Sequence, residues 1–156
     1  MGQQRPRAGI VEIIVHLTHG FLSTEEDAQA QIDVRNAGPT RATKVTGWAR
    51  VVIAPIDTKS FKTGGPDIKF DSDAIESTFD DNGTAAPDHA FSGDEMKSVK
   101  DKLGAVFVYG EIKYTDVLRF GTYTTKFRHF YTSNGTDLPG DGLLRLAPAK
   151  DGNDIQ

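Results

Sequence analysis

Apolar and polar residues alternate with a period of two over much of this chain, the spacing of half-buried β-strands. Residues 10–17, "IVEIIVHL", are rich in β-branched apolar side chains and predict a first strand. In "AQAQIDVRNAG", Ala28, Ala30, Ile32 and Val34 share one face while Gln29, Gln31, Asp33 and Arg35 share the other. "NAGPT" is turn chemistry, because Asn and Gly tolerate positive φ and Pro39 cannot extend a ladder. "ATKVTGWARVVIAP" resumes as a strand that ends at Pro55, with Trp48 and Val51 or Val52 expected in the core. Residues 56–90 hold the turn signal "TGGPD", a short "IKF" run and many polar residues, predicting one or two short strands and a long mobile loop.

One segment has helical rather than strand periodicity. In "FSGDEMKSVKDKLG", Ser92 and Glu95 have capping-box spacing and Phe91 and Met96 the spacing of a hydrophobic staple. Met96, Val99 and Leu103 fall on one face, with Gly104 expected at C′, so a short helix is predicted over about 92–103. A β-hairpin follows in "VYGEIKYTDVLRFGTYTTKFRHFY", expected inside a sheet rather than at its edge. Its first strand places Val106, Val108, Gly110, Ile112 and Tyr114 on one face. Phe107, Tyr109, Glu111, Lys113 and Thr115 lie on the other, which the charges mark as the wetter one. Its second strand alternates Tyr123, Thr125, Phe127, His129 and Tyr131 with Thr124, Lys126, Arg128 and Phe130. "SNGTDLPGDG" reads as a turn cluster, "LLRLAP" as a last short strand, and "AKDGNDIQ" as a polar tail that frays.

Short strands between turn clusters, with one short helix, predict an all-β antiparallel sandwich over residues 1–148 and a tail over 149–156. The length of 156 residues suits a single domain, and 16 Gly with 7 Pro fit a compact core carrying long polar loops. Without cysteine there is no disulfide, thiolate metal site or cysteine nucleophile. A net charge of −4 argues against nucleic-acid binding, which asks for a basic stripe. No apolar run reaches the roughly 18–20 residues of a membrane span. "MGQQRPRAG" holds no apolar signal-peptide core and no myristoylation pattern.

Two stretches carry a resemblance. "VRNAGPTRATKV" resembles the N-x-G…A element of bacterial immunoglobulin-like domains, with Asn36, Gly38 and Ala42 at the matching positions. "VYGEIKYTDVLRFGTYTTKF" resembles a G-x-I-x-Y-x-D…G…T-x-F hairpin of bacterial proteins in which a soluble β-sandwich follows transmembrane helices. Gly110, Ile112, Tyr114, Asp116, Gly121, Thr125 and Phe127 match, although the "VLRF" link is longer than usual. The likeness implies an immunoglobulin-like sandwich in a cell-envelope or membrane-attached setting, with the membrane reached only through a segment absent from this chain. It carries no catalytic residues over.

Candidate chemistry is sparse. Asp116 beside Tyr114 lacks a nucleophile or histidine at diagnostic spacing and is expected to cap the hairpin connection through nearby backbone N–H groups. His16 and His19 form H-x-x-H, but on a strand the two point to opposite faces. Asp71, Asp73, Asp80 and Asp81 offer hard oxygens of the kind calcium favours, without an EF-hand pattern. Asn82-Gly83-Thr84 and Asn134-Gly135-Thr136 are sequons that read first as tight turns. Trp48, Tyr109 and Tyr123 are candidates for a carbohydrate or peptide groove. The expectation is a non-enzymatic domain that binds a protein partner or self-assembles through sheet edges and loops, with no cofactor required. The alternative is a carbohydrate- or peptide-binding module. Exposed coplanar aromatics favour the alternative; buried ones favour assembly.

Overall fold

Alternation sorts this chain into a polar and an apolar surface along each strand, and the two apolar surfaces meet. A computed structural model describes residues 10–17, 29–87, 91–116, 121–132, 144–149 and 154–155. Strands β1 (Ile10–Leu17), β2 (Ala30–Asn36), β4 (Lys69–Phe70) and β5 (Asp80–Ala85) form one antiparallel sheet, ordered β4-β5-β2-β1. Strands β3 (Ala42–Pro55), β6 (Gly104–Asp116) and β7 (Thr122–Tyr131) form the second, ordered β3-β6-β7. Helix α1 (Gly93–Lys100) connects β5 to β6. Among the described residues no helix is long and apolar enough to cross a membrane.

The core lies between the sheets. Val15, Leu17, Ile32 and Val34 from the first face Val51, Val108, Ile112, Tyr114 and Phe127 from the second. A bulge in β3 between Thr43 and Thr46, with Lys44 at φ 50°, inserts one residue against β6. It reverses the parity of the strand. Ala42 points inward before it, while Ala49 and Val51 point inward after it, so Trp48 and Val52 turn to the outer face.

Both open sides of the sandwich are laced by backbone hydrogen bonds. On one side, residues 66–75 cross between β3 and β5: Ala49 N–H donates to Pro66 O (3.1 Å) and Ile68 N–H to Gly47 O (2.9 Å). Lys69 and Phe70 then pair with Thr84 and Gly83, and Ile75 bridges Ala42. On the other side, β8 (Leu144–Arg145) pairs with β1, and β9 (Ala147–Pro148) pairs with β7. Between them Leu146 is buried in the core, its N–H on Val15 O (2.8 Å). Strand β10 (Asp154–Ile155) also lies on β7, so residues expected to fray cover a strand edge. The hairpin β6–β7 is inside its sheet, as the pattern predicts.

The helix start matches its prediction: Ser92 N–H donates to Glu95 Oε1 (3.0 Å) and Glu95 N–H to Ser92 Oγ (3.1 Å), while Phe91 and Met96 are buried. Its end does not. Lys102, at φ 63°, is the C′ residue, with Lys102 N–H on Val99 O (3.1 Å) and Leu103 N–H on Ser98 O (2.9 Å), a Schellman pair. Leu103 is therefore carried off the helix face and is 70% exposed, and Gly104 opens β6. Asn82-Gly83 is likewise no turn. Gly83 sits in mid-strand β5, where an added Cβ would meet Ile68 Cγ2 at 2.4 Å and the Phe70 ring at 2.9 Å. The Asn134 sequon, His19 and His89 lie outside the described residues.

Candidate functional site: a strapped cleft on the outer face of the second sheet

The two resembling stretches meet at one end of the sandwich. Ala42 pairs with Asp116 across β3 and β6, and Thr40 Oγ1 donates to Asp116 Oδ1 (3.2 Å). Asn36 is fully buried; its Nδ2 donates to Thr40 O (2.8 Å) and Ile75 O (3.0 Å), and its Oδ1 accepts from Gly38 N–H (3.0 Å). Asp116 closes the hairpin through its N–H to Gly121 O (3.2 Å). Its carboxyl lies inside and accepts the Thr40 hydroxyl; residues 117–120, the connection it is expected to cap, lie outside the described residues. Extending the alternation one step past Tyr114 predicts that placement. These residues are a polar knot that joins β2, β3, β6 and the 75–79 segment, so their signature is one of fold.

The chemistry available to a ligand lies elsewhere, on the outer face of β3, β6 and β7. Three rows of side chains cross it: Trp48–Glu111–Lys126, Arg50–Tyr109–Arg128 and Val52–Phe107–Phe130. The face expected to be wetter is half covered, with Phe107 buried and Tyr109 only 7% exposed. Residues 56–66 lie over it as a strap. Phe61 packs on Phe107 (4.8 Å between centroids) and Tyr109 (4.7 Å), under the Arg128 guanidinium at 4.6 Å. A side chain from each strand then ties the strap backbone. Arg50 Nε donates to Gly64 O, Tyr109 Oη to Lys62 O (3.0 Å) and Arg128 Nη1 to Lys59 O (3.2 Å). Gly64, in the predicted "TGGPD" turn, takes φ 88°.

Between the strap and the Trp48 row a cleft of about 260 Å³ stays open. Trp48 stands edge-on to Tyr109 (5.9 Å, 89°), its indole N–H on Glu111 Oε2 (3.3 Å). Lys126 Nζ lies 4.0 Å from Glu111 Oε1, and Lys62 and Arg128 complete the rim. Among the described residues three cations stand against one carboxylate, which gives an aromatic hollow a positive border on an acidic chain. The floor depends on Gly110: a Cβ there would come within 2.0 Å of Trp48 O, so only glycine lets β3 and β6 approach.

Of the three aromatic candidates, Trp48 and Tyr109 line this cleft. Tyr123 does not. It lies opposite Tyr114 on the inner face, half-buried, with the two rings 5.7 Å apart. Phe61, Lys62, Glu111, Lys126 and Arg128 were not singled out from the sequence. Lys126 and Arg128 at i and i+2 carried a signal, whereas Phe61 sits in a polar loop without periodicity.

The four calcium candidates are not brought together around one point. Asp81 accepts Ser72 N–H (3.1 Å) on one oxygen and Asn82 N–H (2.9 Å) on the other. Burial raises its carboxyl above the ordinary value, those two N–H groups counter the rise in part, and the Asp71 charge adds to it. Asp80 stands across from Arg35, and Asp71 and Asp73 are exposed. Among the described residues no three His, Asp or Glu side chains cluster as metal ligands. His16 Nδ1 lies 3.7 Å from Asp33 Oδ2 on the outer face of the first sheet. Comparison with family models, with curated proteins and with solved structures finds no match.

Proposed function

We propose that this chain is a non-enzymatic immunoglobulin-like domain that binds a protein partner or itself, as the soluble part of a bacterial membrane-associated or envelope protein. The single observation that carries the binding reading is the cleft beside the strap. It is walled by Trp48, Phe61 and Tyr109 and held in shape by side-chain tethers from all three strands. Such prior ordering lowers the entropic cost of recognition. The strand order supports the immunoglobulin-like reading. The envelope setting rests on the resemblance alone.

The disposition of the aromatics favours protein recognition over a sugar platform. Tyr109 is buried with its hydroxyl committed to the strap, Tyr123 faces inward, and Trp48 keeps a half-exposed ring. Sheet edges contribute less than the sequence suggests, because residues 66–75 and 144–149 occupy them. Loops and the outer face remain.

A photo-crosslinking side chain at Lys62 in the full-length protein, expressed in its bacterial host, tests this reading. Discrete adducts are expected there and none from the same group at Thr84, on the outer face of the first sheet. Equal adducts at both positions, or none at either, would remove the cleft as a recognition site. Membrane pelleting after a carbonate wash tests the envelope setting; a wholly soluble product would refute it.

A further inference from the structure

We infer that the occupant of the cleft is Phe79 of a second copy of this chain, an inference that rests on the binding reading above. Phe79 is 63% exposed and stands on a rigid turn. Its N–H donates to Glu76 O (3.1 Å), Thr78 before it holds φ 69°, and Asn36 grips the turn from both sides. Thr78 N–H donates to Asn36 O (2.7 Å) and Asn36 N–H to Phe79 O (3.1 Å). An aromatic ring is thus fixed in water by a fully buried residue.

The surroundings of knob and hollow are opposite in charge. Asp80 and Asp81 follow Phe79 in the chain, and the Asp71 charge acts on Asp81. Against them stand Arg35 across from Asp80 and Arg41 on Glu76 at 2.8 Å, which leaves this side net negative. Around the cleft the described residues are Lys62, Lys126 and Arg128 against Glu111. A volume of about 260 Å³ lies below the ~300 Å³ at which pockets for small molecules begin, and suits one large side chain. The knob precedes β5 of the first sheet and the hollow lies on the outer face of the second. The contact is therefore heterologous, joining two different patches, and each copy keeps a free knob and a free hollow for the next.

Sedimentation velocity of the purified chain from about 10 µM to about 1 mM, at about 25 mM and about 500 mM salt, tests this. The weight-average mass should climb with concentration at low salt and fall back at high salt. Phe79→Ser and Lys62→Glu change exposed side chains and should each weaken association at least about tenfold. Mixed together, the first supplies a hollow and the second a knob, so dimers should form and nothing larger. A wild-type chain that stays monomeric at low salt, or associates as well after Phe79→Ser, overturns the inference. If it is monomeric yet Lys62 still crosslinks to another protein, self-recognition fails and the binding reading stands. With no adduct at Lys62, both fail.

Discussion

Replacing Asn36 with Ala should destabilise the domain by about 2–4 kcal/mol. From a fully buried position the side chain donates to Thr40 O and Ile75 O and accepts from Gly38 N–H. Each such hydrogen bond is worth about 1 kcal/mol net, and a buried partner left unsatisfied costs about 1–3 kcal/mol. These partners are not equally exposed to loss. Ile75 O keeps the Ala42 N–H at 3.0 Å, and Gly38 and Thr40 are half-buried, within reach of water. That holds the estimate below the largest network losses, while the vacated carboxamide volume keeps it above a surface change. Asn36→Asp should be worse than Ala, because it sets a carboxyl oxygen against the Thr40 and Ile75 carbonyls where an amide donated. Equilibrium urea unfolding reads the effect as a midpoint shift of roughly 1–2 M at unchanged m-value. A loss under about 1 kcal/mol, or Asp tolerated as well as Ala, would refute the reasoning that Asn36 knots β2 to the 75–79 segment.

Phe127→Ala should cost about 3–5 kcal/mol in the same melts, since the ring is buried between the sheets; under about 1 kcal/mol would mean the hairpin faces are reversed. Lys102→Gly should stabilise by about 1 kcal/mol by relieving a left-handed conformation at the exposed C′ position, measured as a raised urea midpoint. Asp81→Asn should gain stability relative to wild type as pH rises from about 3 to about 7. A carboxyl raised by burial holds its proton better when folded, so stability falls as pH climbs from the ordinary value of 3.8 through the raised one. A difference between the two proteins that stays flat with pH would rule that out.

The inner faces were legible because period-two alternation reports burial directly: Val106 to Tyr114 and Tyr123 to Phe127 point where the pattern places them. The capping box was legible because its two partners lie three residues apart. Features that depend on distant contacts were not. Trp48 turned outward because one bulged residue at Lys44 reversed the parity of β3, and nothing local announces a bulge. Gly83 carries a turn dipeptide's signature, yet its lack of a Cβ admits Ile68 and Phe70 from another segment. Lys102 holds a conformation that glycine would adopt more easily, which misplaced the helix end by two residues. The cleft escaped for the same reason. Phe61 and the three carbonyls tied by Arg50, Tyr109 and Arg128 are brought to the sheet by loop closure, which leaves no periodic trace.

Trp48 is the single tryptophan of the chain and stands in the cleft, so its fluorescence reports occupancy of that cleft alone. Acrylamide quenching across protein concentration, at low and high salt, is the most direct test of the cleft as the contact site. The quenching constant should fall as concentration rises in low salt, and keep its dilute value in high salt and in Phe79→Ser. A constant that does not change with concentration in the wild-type chain, while sedimentation shows it assembling, would place the contact somewhere other than the cleft and contradict the account.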